Sequence, residues 1–230
     1  MQPGHAPALV GDIERGVSET IRAEPWQTDT CIGSWHYDRA IYTEHRYKTT
    51  GQVVRMLADI VSKNGNLLLS IPVRGDGEID GDEEAFLKGM AAWMNINQEA
   101  IFSTRPWSTY GEGPSTVENP DKGTFGGARD VRKQPYTSED IRFTKKADTV
   151  YAILLAWPAD HAALVKTMAE QAPAMKGCGI GAVSLLGSSQ SLKWYRDPSG
   201  LHVTLPENPP CENAFVLKVQ LTQSPPRGSS

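Results

Sequence analysis

The residue types best suited to nucleophilic chemistry stand close together early in the chain: Cys31, followed by His36 and His45. A thiolate next to an imidazole is a working pair in covalent catalysis, because the imidazole takes the thiol proton. A cysteine is more often a small buried side chain, and that reading outweighs the nucleophilic one here. With Cys178 and Cys211 the cysteines number three, far apart and odd in count, which fits neither a zinc framework nor a disulfide scaffold. The five histidines, His5, His36, His45, His161 and His202, are never adjacent.

The elements that must position these groups can be read from the same stretch. Residues 1–25 are rich in Pro, Gly and acidic side chains and read as a long loop. "WQTDTCIGSWHY" (Trp26 to Tyr37) reads as a short strand running into a functional loop. A helix follows, capped by Thr49 or Thr50, with Val53, Val54, Leu57, Ile60 and Val61 on one face and Asn64-Gly65 as its left-handed stop. "NLLLSIP" (Asn66 to Pro72) fits a parallel strand covered on both faces. Asp76-Gly77 marks a turn, and Arg74 with Asp76 fits a turn and salt bridge better than a site. Asp80, Asp82, Glu83 and Glu84 load the start of a second helix with negative charge that complements its dipole. That helix is expected to bury Phe86, Leu87, Met90, Trp93, Met94 and Ile96.

Strand, helix, strand, helix is the grammar of a parallel sheet, and two such units leave edges and apolar faces open, so more strands are expected from elsewhere. After Trp107 the texture changes. Residues 108–135 read as a linker or long surface loop, and residues 136–222 as an antiparallel sandwich. Its strand-like runs are Ile141 to Thr144, Thr149 to Trp157, Gly181 to Gly187, Ser191 to Tyr195, Gly200 to Pro206 and Ala214 to Leu221. Ala162 to Ala172 reads as a helix, and residues 223–230 as a disordered tail.

A net charge of −4 and a pI near 5.8 argue against nucleic-acid binding. No apolar run approaches the roughly 18 residues that suggest a membrane span. Met1 to Leu9 lacks a basic and an apolar region, so no signal peptide is expected there.

Three runs carry a resemblance: "PWQTDTCIGSWHYDR", "LADIVSKNGNLLLSIPVRGDGEID" and "WMNINQEAIFSTRPW". In this order they resemble the end of the catalytic domain of the α-L-fucosidases of glycoside hydrolase family 29. "TVYAILLAWP" and "SLKWYRDPSGLHVTLP" resemble that family's C-terminal β-sandwich. The resemblance implies the last units of an eight-stranded α/β barrel in residues 1–107, with loops after its strands at the catalytic mouth.

It also implies retention with two carboxyl groups about 5–5.5 Å apart and no metal or organic cofactor. The family's nucleophilic aspartate and histidine pair have no counterpart in this sequence, so the nucleophile is expected upstream and the chain alone inactive. Many members carry the acid/base just after the strand's leading tryptophan, where this chain has Gln27, which cannot exchange a proton at neutral pH. "GDIERG" resembles the alternative loop form, which selects Glu14, with Glu19 and Glu24 as weaker candidates. Trp35 corresponds to an aromatic that packs on the sugar's C5-methyl face, and His36 and Tyr37 line the same mouth. Trp26 reads as structural, and Trp93 and Trp107 as packing at the junction of barrel and sandwich.

The expected partners are a fucosylated glycan or glycoside and a missing N-terminal barrel part, with no nucleic acid and no membrane. The competing reading is a non-catalytic glycan-binding or interaction module, for which Trp194, Tyr195 and Trp157 are the candidate aromatics.

Overall fold

The computed structural model describes residues 10–116 and 134–223. Three parallel strands come first: β1 (Gly11–Glu14), β2 (Trp26–Cys31) and β3 (Gly65–Ser70), adjacent in the order β1-β2-β3. Strand β1 corrects the expectation of an unbroken loop through residue 25. Its four residues read as loop because two are acidic, and its extended form comes from pairing with β2.

Between β2 and β3 the chain forms a short helix α1 (Arg39–Thr43) and the longer α2 (Thr50–Ser62). Thr49 is the cap of α2. Its hydroxyl accepts from Gln52 N while Gln52 Oε1 accepts from Thr49 N, a reciprocal box that satisfies two otherwise orphaned donors. Asn64, at φ +71°, takes the left-handed turn past its end. Helix α3 (Gly81–Asn97) has the same kind of box, built from Asp80 and Glu83. Phe86 and Trp93 are buried on it, whereas Leu87, expected inside, faces out at 38% exposure.

The remaining strands are β4 (Arg105–Glu112), β5 (Ile141–Lys146), β6 (Thr149–Leu154), β7 (Ala162–Val165), β8 (Cys178–Leu185), β9 (Lys193–Asp197), β10 (Gly200–Thr204) and β11 (Phe215–Gln223). They form an antiparallel five-stranded sheet, β4-β5-β6-β11-β8, and a three-stranded sheet, β7-β10-β9. Two expectations change here. Residues 108–112, expected in a linker, continue β4 and pair with β5, and residues 117–133 lie outside the described residues. Ala162 to Ala172 is strand β7 followed by one 3₁₀ turn, because Ala163 and Val165 alternate inward against β10. Gln223 closes β11, and the rest of the expected tail lies outside the described residues.

One face of the five-stranded sheet packs on the small sheet. Ile141, Phe143, Val150, Leu154, Leu217 and Val219 meet Val165, Leu201, Val203 and Leu205 there. Trp107 belongs to this core, edge-on to Phe143 at 5.1 Å, and so sits between the sheets, away from the junction expected for it. The opposite face carries Tyr151, Ile153, Leu155 and Val216, which pack on Val54 and Ala58 of α2 and Trp93 of α3. Trp93 Nε1 also donates to Ala214 O at 2.8 Å. Helix α2 is thus shared, with Met56 and Ile60 turned to the parallel sheet and Val54 and Ala58 to the antiparallel one.

A buried ionic cluster crosses the same junction. Asp59 of α2 accepts from Lys63 Nζ and from Arg142 Nε of β5, each at 2.6 Å. Arg142 Nη2 donates to Ser115 Oγ, and both cations lie over the Tyr110 ring. No described helix is long and apolar enough to cross a membrane.

Candidate active site

Because β1, β2 and β3 run parallel, their C-terminal ends lie at one end of the sheet, the place where open α/β sheets bind ligands. Glu14 is the last residue of β1, Cys31 the last of β2 and Ser70 the last of β3. The chain after Glu14 turns sharply, with Arg15 at φ +47°. The turn is pinned to β2, since Arg15 N donates to Asp29 O at 2.9 Å and Thr28 Oγ1 to Gly16 O at 2.8 Å.

In-register neighbours of a parallel sheet point to the same side. Asp12, Gln27 and Asn66 share one row, and Glu14, Asp29 and Leu68 the next, on the face away from α2. Trp26, Thr28 and Thr30 are buried on the opposite face. On the first face Leu68 is 55% exposed. The expectation of a strand covered on both faces is corrected: Leu67 and Leu69 pack inward on one face, while Leu68 on the other is exposed.

This face is acidic. Burial pushes the Asp29 carboxyl above its ordinary value, helped by the charge and hydrogen bond of Asp12 and by the charge of Glu14. Asp29 Oδ1 is buried without a hydrogen-bond partner. Gln27, the residue standing where a carboxylate was sought, donates from Nε2 to Asp12 Oδ1 at 3.2 Å.

The loop after β2 brings the predicted aromatic to the predicted acid. Trp35 Nε1 donates to Glu14 Oε1 at 3.2 Å, although the two are far apart in sequence. The base of this loop is held by Ile32 N donating to Ser70 O and by Lys48 N donating to Ile32 O. Gly33 lies under the Tyr47 ring, where an added Cβ would come within 2.8 Å of it. His36 is exposed on the same loop, and the side-chain partner of Glu14 there is Trp35. Tyr37 lies near Asp80 and Arg74. Burial, then the Asp80 charge, raises its hydroxyl above the usual value. Tyr47 donates to Asp80 Oδ2 at 2.8 Å, so the loops after β2 and β3 are fastened to the same carboxylate.

The other candidates fall elsewhere. Glu19 and Glu24 are exposed in the connection that leads from β1 to the start of β2. Cys31 is fully buried as a core residue, and His45 pairs with Asp82. Trp26 is buried, with Nε1 donating to Lys63 O at 2.9 Å. Arg74 and Asp76 pair across a tight turn. Asp12 and Asp29 were missed by sequence reading. Their signal was the two-residue spacing Asp12, Glu14 and Gln27, Asp29, which sets polar groups on one side of paired strands. Among the described residues no three His, Cys, Asp or Glu are grouped to hold a metal ion.

Residues 5–99 match the family described as Alpha-L-fucosidase, and residues 134–220 the Alpha-L-fucosidase C-terminal domain. An α-L-fucosidase of Branchiostoma floridae is 30% identical over 208 residues, covering 87% of this chain and 39% of its own length. Among solved structures, a Thermotoga maritima α-fucosidase in complex with fucose matches 88% of this chain and 41% of its own, at 23% identity and a TM-score of 0.63. A Bacteroides thetaiotaomicron α-L-fucosidase, described as a trapped covalent intermediate with 2-fluoro-fucosyl fluoride, matches 93% of this chain and 43% of its own, at 18% identity and a TM-score of 0.66. The chain spans about two fifths of the length of these relatives, and over that span it belongs to the α-L-fucosidase family.

Proposed function

We propose that this chain is the C-terminal part of a retaining exo-α-L-fucosidase that removes terminal α-L-fucose from glycans, with Glu14 as its acid/base. On this reading the chain up to residue 104 forms the last units of a (β/α) barrel, and β4 (Arg105–Glu112) together with residues 136–223 forms the sandwich. The observation that carries it is the placement of Glu14 at the C-terminal end of a parallel strand with the indole of Trp35 against it. Trp35, 37% exposed, is assigned with its ring face to the sugar's C5-methyl side, and His36 to the lining of the same mouth.

Retention requires a second carboxyl, ionised and about 5–5.5 Å from the first. Asp29 is the carboxylate next to Glu14 in register, raised by burial and by Asp12, and the sequence holds no counterpart of the family's nucleophilic aspartate. The nucleophile is therefore assigned to polypeptide beyond these residues, on strands that would also cover the open face holding Leu68. The relative trapped as a covalent intermediate supports a covalent route.

Hydrolysis of an aryl α-L-fucoside tests this. The chain alone should give no turnover. Fused behind the front part of a relative it should give turnover with retained configuration, lost on Glu14→Ala. Activity of that fusion surviving Glu14→Ala would remove the assignment.

One observation favours the alternative, a non-catalytic glycan-binding module. Tyr195 is 59% exposed on the edge strand β9 and stacked on His202 with ring centroids 4.4 Å apart. Trp157 and Trp194 pack against the core and are less available. Saturable binding of fucosylated glycans that is lost on Tyr195→Ala, with Glu14→Ala neutral, would favour it.

A further inference from the structure

We propose that Trp35 is a positioning residue for Glu14, fixing which carboxyl oxygen handles the proton. This rests on the acid/base reading of Glu14. An indole N–H donates and cannot accept, so the oxygen it faces must act as an acceptor. Oε1 is that oxygen, at 3.2 Å from Trp35 Nε1. The carbonyl oxygen of a neutral carboxyl is its better acceptor, so the contact favours Oε2 as the oxygen that carries the proton of neutral Glu14, and when Glu14 is ionised Oε2 is the oxygen left open to receive one.

The surroundings make this contact decisive for the side chain. The Glu14 backbone is already fixed on both sides, by its register with Asp29 and by the bonds of Arg15 N and Gly16 O to β2. What remains is rotation of an exposed carboxylate that lies beside two other carboxyl groups, Asp12 and Asp29. Trp35 supplies a donor from a loop that is itself anchored through Ile32, Lys48 and the close seat of Gly33 under Tyr47. The N–H lies in the plane of the ring, so the ring edge serves Glu14 while the ring face stays free for a sugar. One side chain thus separates two tasks, and Phe in its place would keep only the second.

The six tryptophans give the full chain a direct readout through their indole ¹H–¹⁵N resonances, the Trp35 signal being the one lost in Trp35→Phe. The expected result is a downfield, slowly exchanging Trp35 indole proton. Glu14→Ala should move it upfield by several tenths of a ppm and speed its exchange about tenfold, while Glu14→Gln, which keeps an acceptor oxygen, restores most of the wild-type shift. Unchanged signals from the other five indoles certify the fold in each variant. A Trp35 indole with the same shift and exchange rate in wild type and Glu14→Ala would overturn the proposal. If Glu14→Ala fails to fold, the Glu14 carboxyl ¹³C shift in Trp35→Phe decides: a change against wild type supports the contact and identity removes it. These spectra need neither substrate nor turnover, so a failure of the fucosidase reading would appear in the hydrolysis assay and leave them untouched.

Discussion

Arg142 Nε of strand β5 meets Asp59 Oδ1 of helix α2 at 2.6 Å, and Lys63 reaches the other oxygen of the same carboxylate from one turn further along. All three side chains are almost wholly shielded from water. Truncating one member of such a cluster leaves charge buried and unpaired, a loss of roughly 3–5 kcal/mol. Asp59→Ala, which strands two cations, should therefore lower the urea midpoint severely. Replacing all three by apolar residues of similar volume should cost far less.

The same carboxylate gives an acid-sensitive term. Burial alone would raise its affinity for protons, but the Lys63 and Arg142 charges and their hydrogen bonds outweigh that and hold Asp59 below its ordinary value of 3.8. A carboxylate depressed in the folded state adds stability that is complete above its unfolded value and disappears as pH falls through the folded one. The stability difference between wild type and Asp59→Asn should be constant at neutral pH and shrink below 3.8, as followed by denaturation at a series of pH values.

Gln27 is a place where the chain avoids a charge. Gln27→Glu would set a carboxylate opposite Asp12 on adjacent strands and exchange a hydrogen bond for repulsion. Favourable cross-strand pairs contribute about 0.2–1 kcal/mol and like charges directly opposite are destabilising, so a loss of that order is expected. The variant should be less stable by that amount at pH 7 and recover in acid, once the pair shares a proton. Full stability of Gln27→Glu at pH 7 would show that the two side chains do not meet.

Gly65 must stay small. A Cβ there would come within 2.6 Å of the Trp26 ring, its neighbour across β2 and β3. Overpacking of this kind typically costs about 1–3 kcal/mol. Gly65→Ala should lower Tm and disturb the near-ultraviolet signal of Trp26, while Gly75→Ala, with nothing near its added carbon, should leave both unchanged.

What the sequence made legible is what short-range chemistry decides. Helices α2 and α3 announce themselves because cap, box and apolar stripe lie within a few residues of one another. Strand β1 does not, since Gly11–Glu14 is extended only by virtue of β2 beside it. β4 was hidden for a related reason: Ser108 to Glu112 are polar and half-exposed, and their strand form depends on Ile141 and Arg142 across the ladder. Val216 and Ile153 pack on helices while their strand neighbours Leu217 and Leu154 pack on a sheet, so both faces of these strands are buried. Family likeness supplied Glu14 and Trp35 separately. Their contact, and the row joining Glu14 to Asp29, arise only when distant segments meet.

The double duty of helix α2 has a consequence for how the molecule comes apart. Its two sides belong to two sheets, and Arg55 between them binds Leu155 O and Asn213 O of the antiparallel one. Severing the chain near residue 107 would not release two self-sufficient halves. It would bare Tyr151, Ile153, Leu155 and Val216 on one piece and Val54, Ala58 and Trp93 on the other. Melting should accordingly be all-or-none, a single calorimetric peak whose van 't Hoff and measured enthalpies agree. The pieces of a nicked chain should stay together until that same temperature.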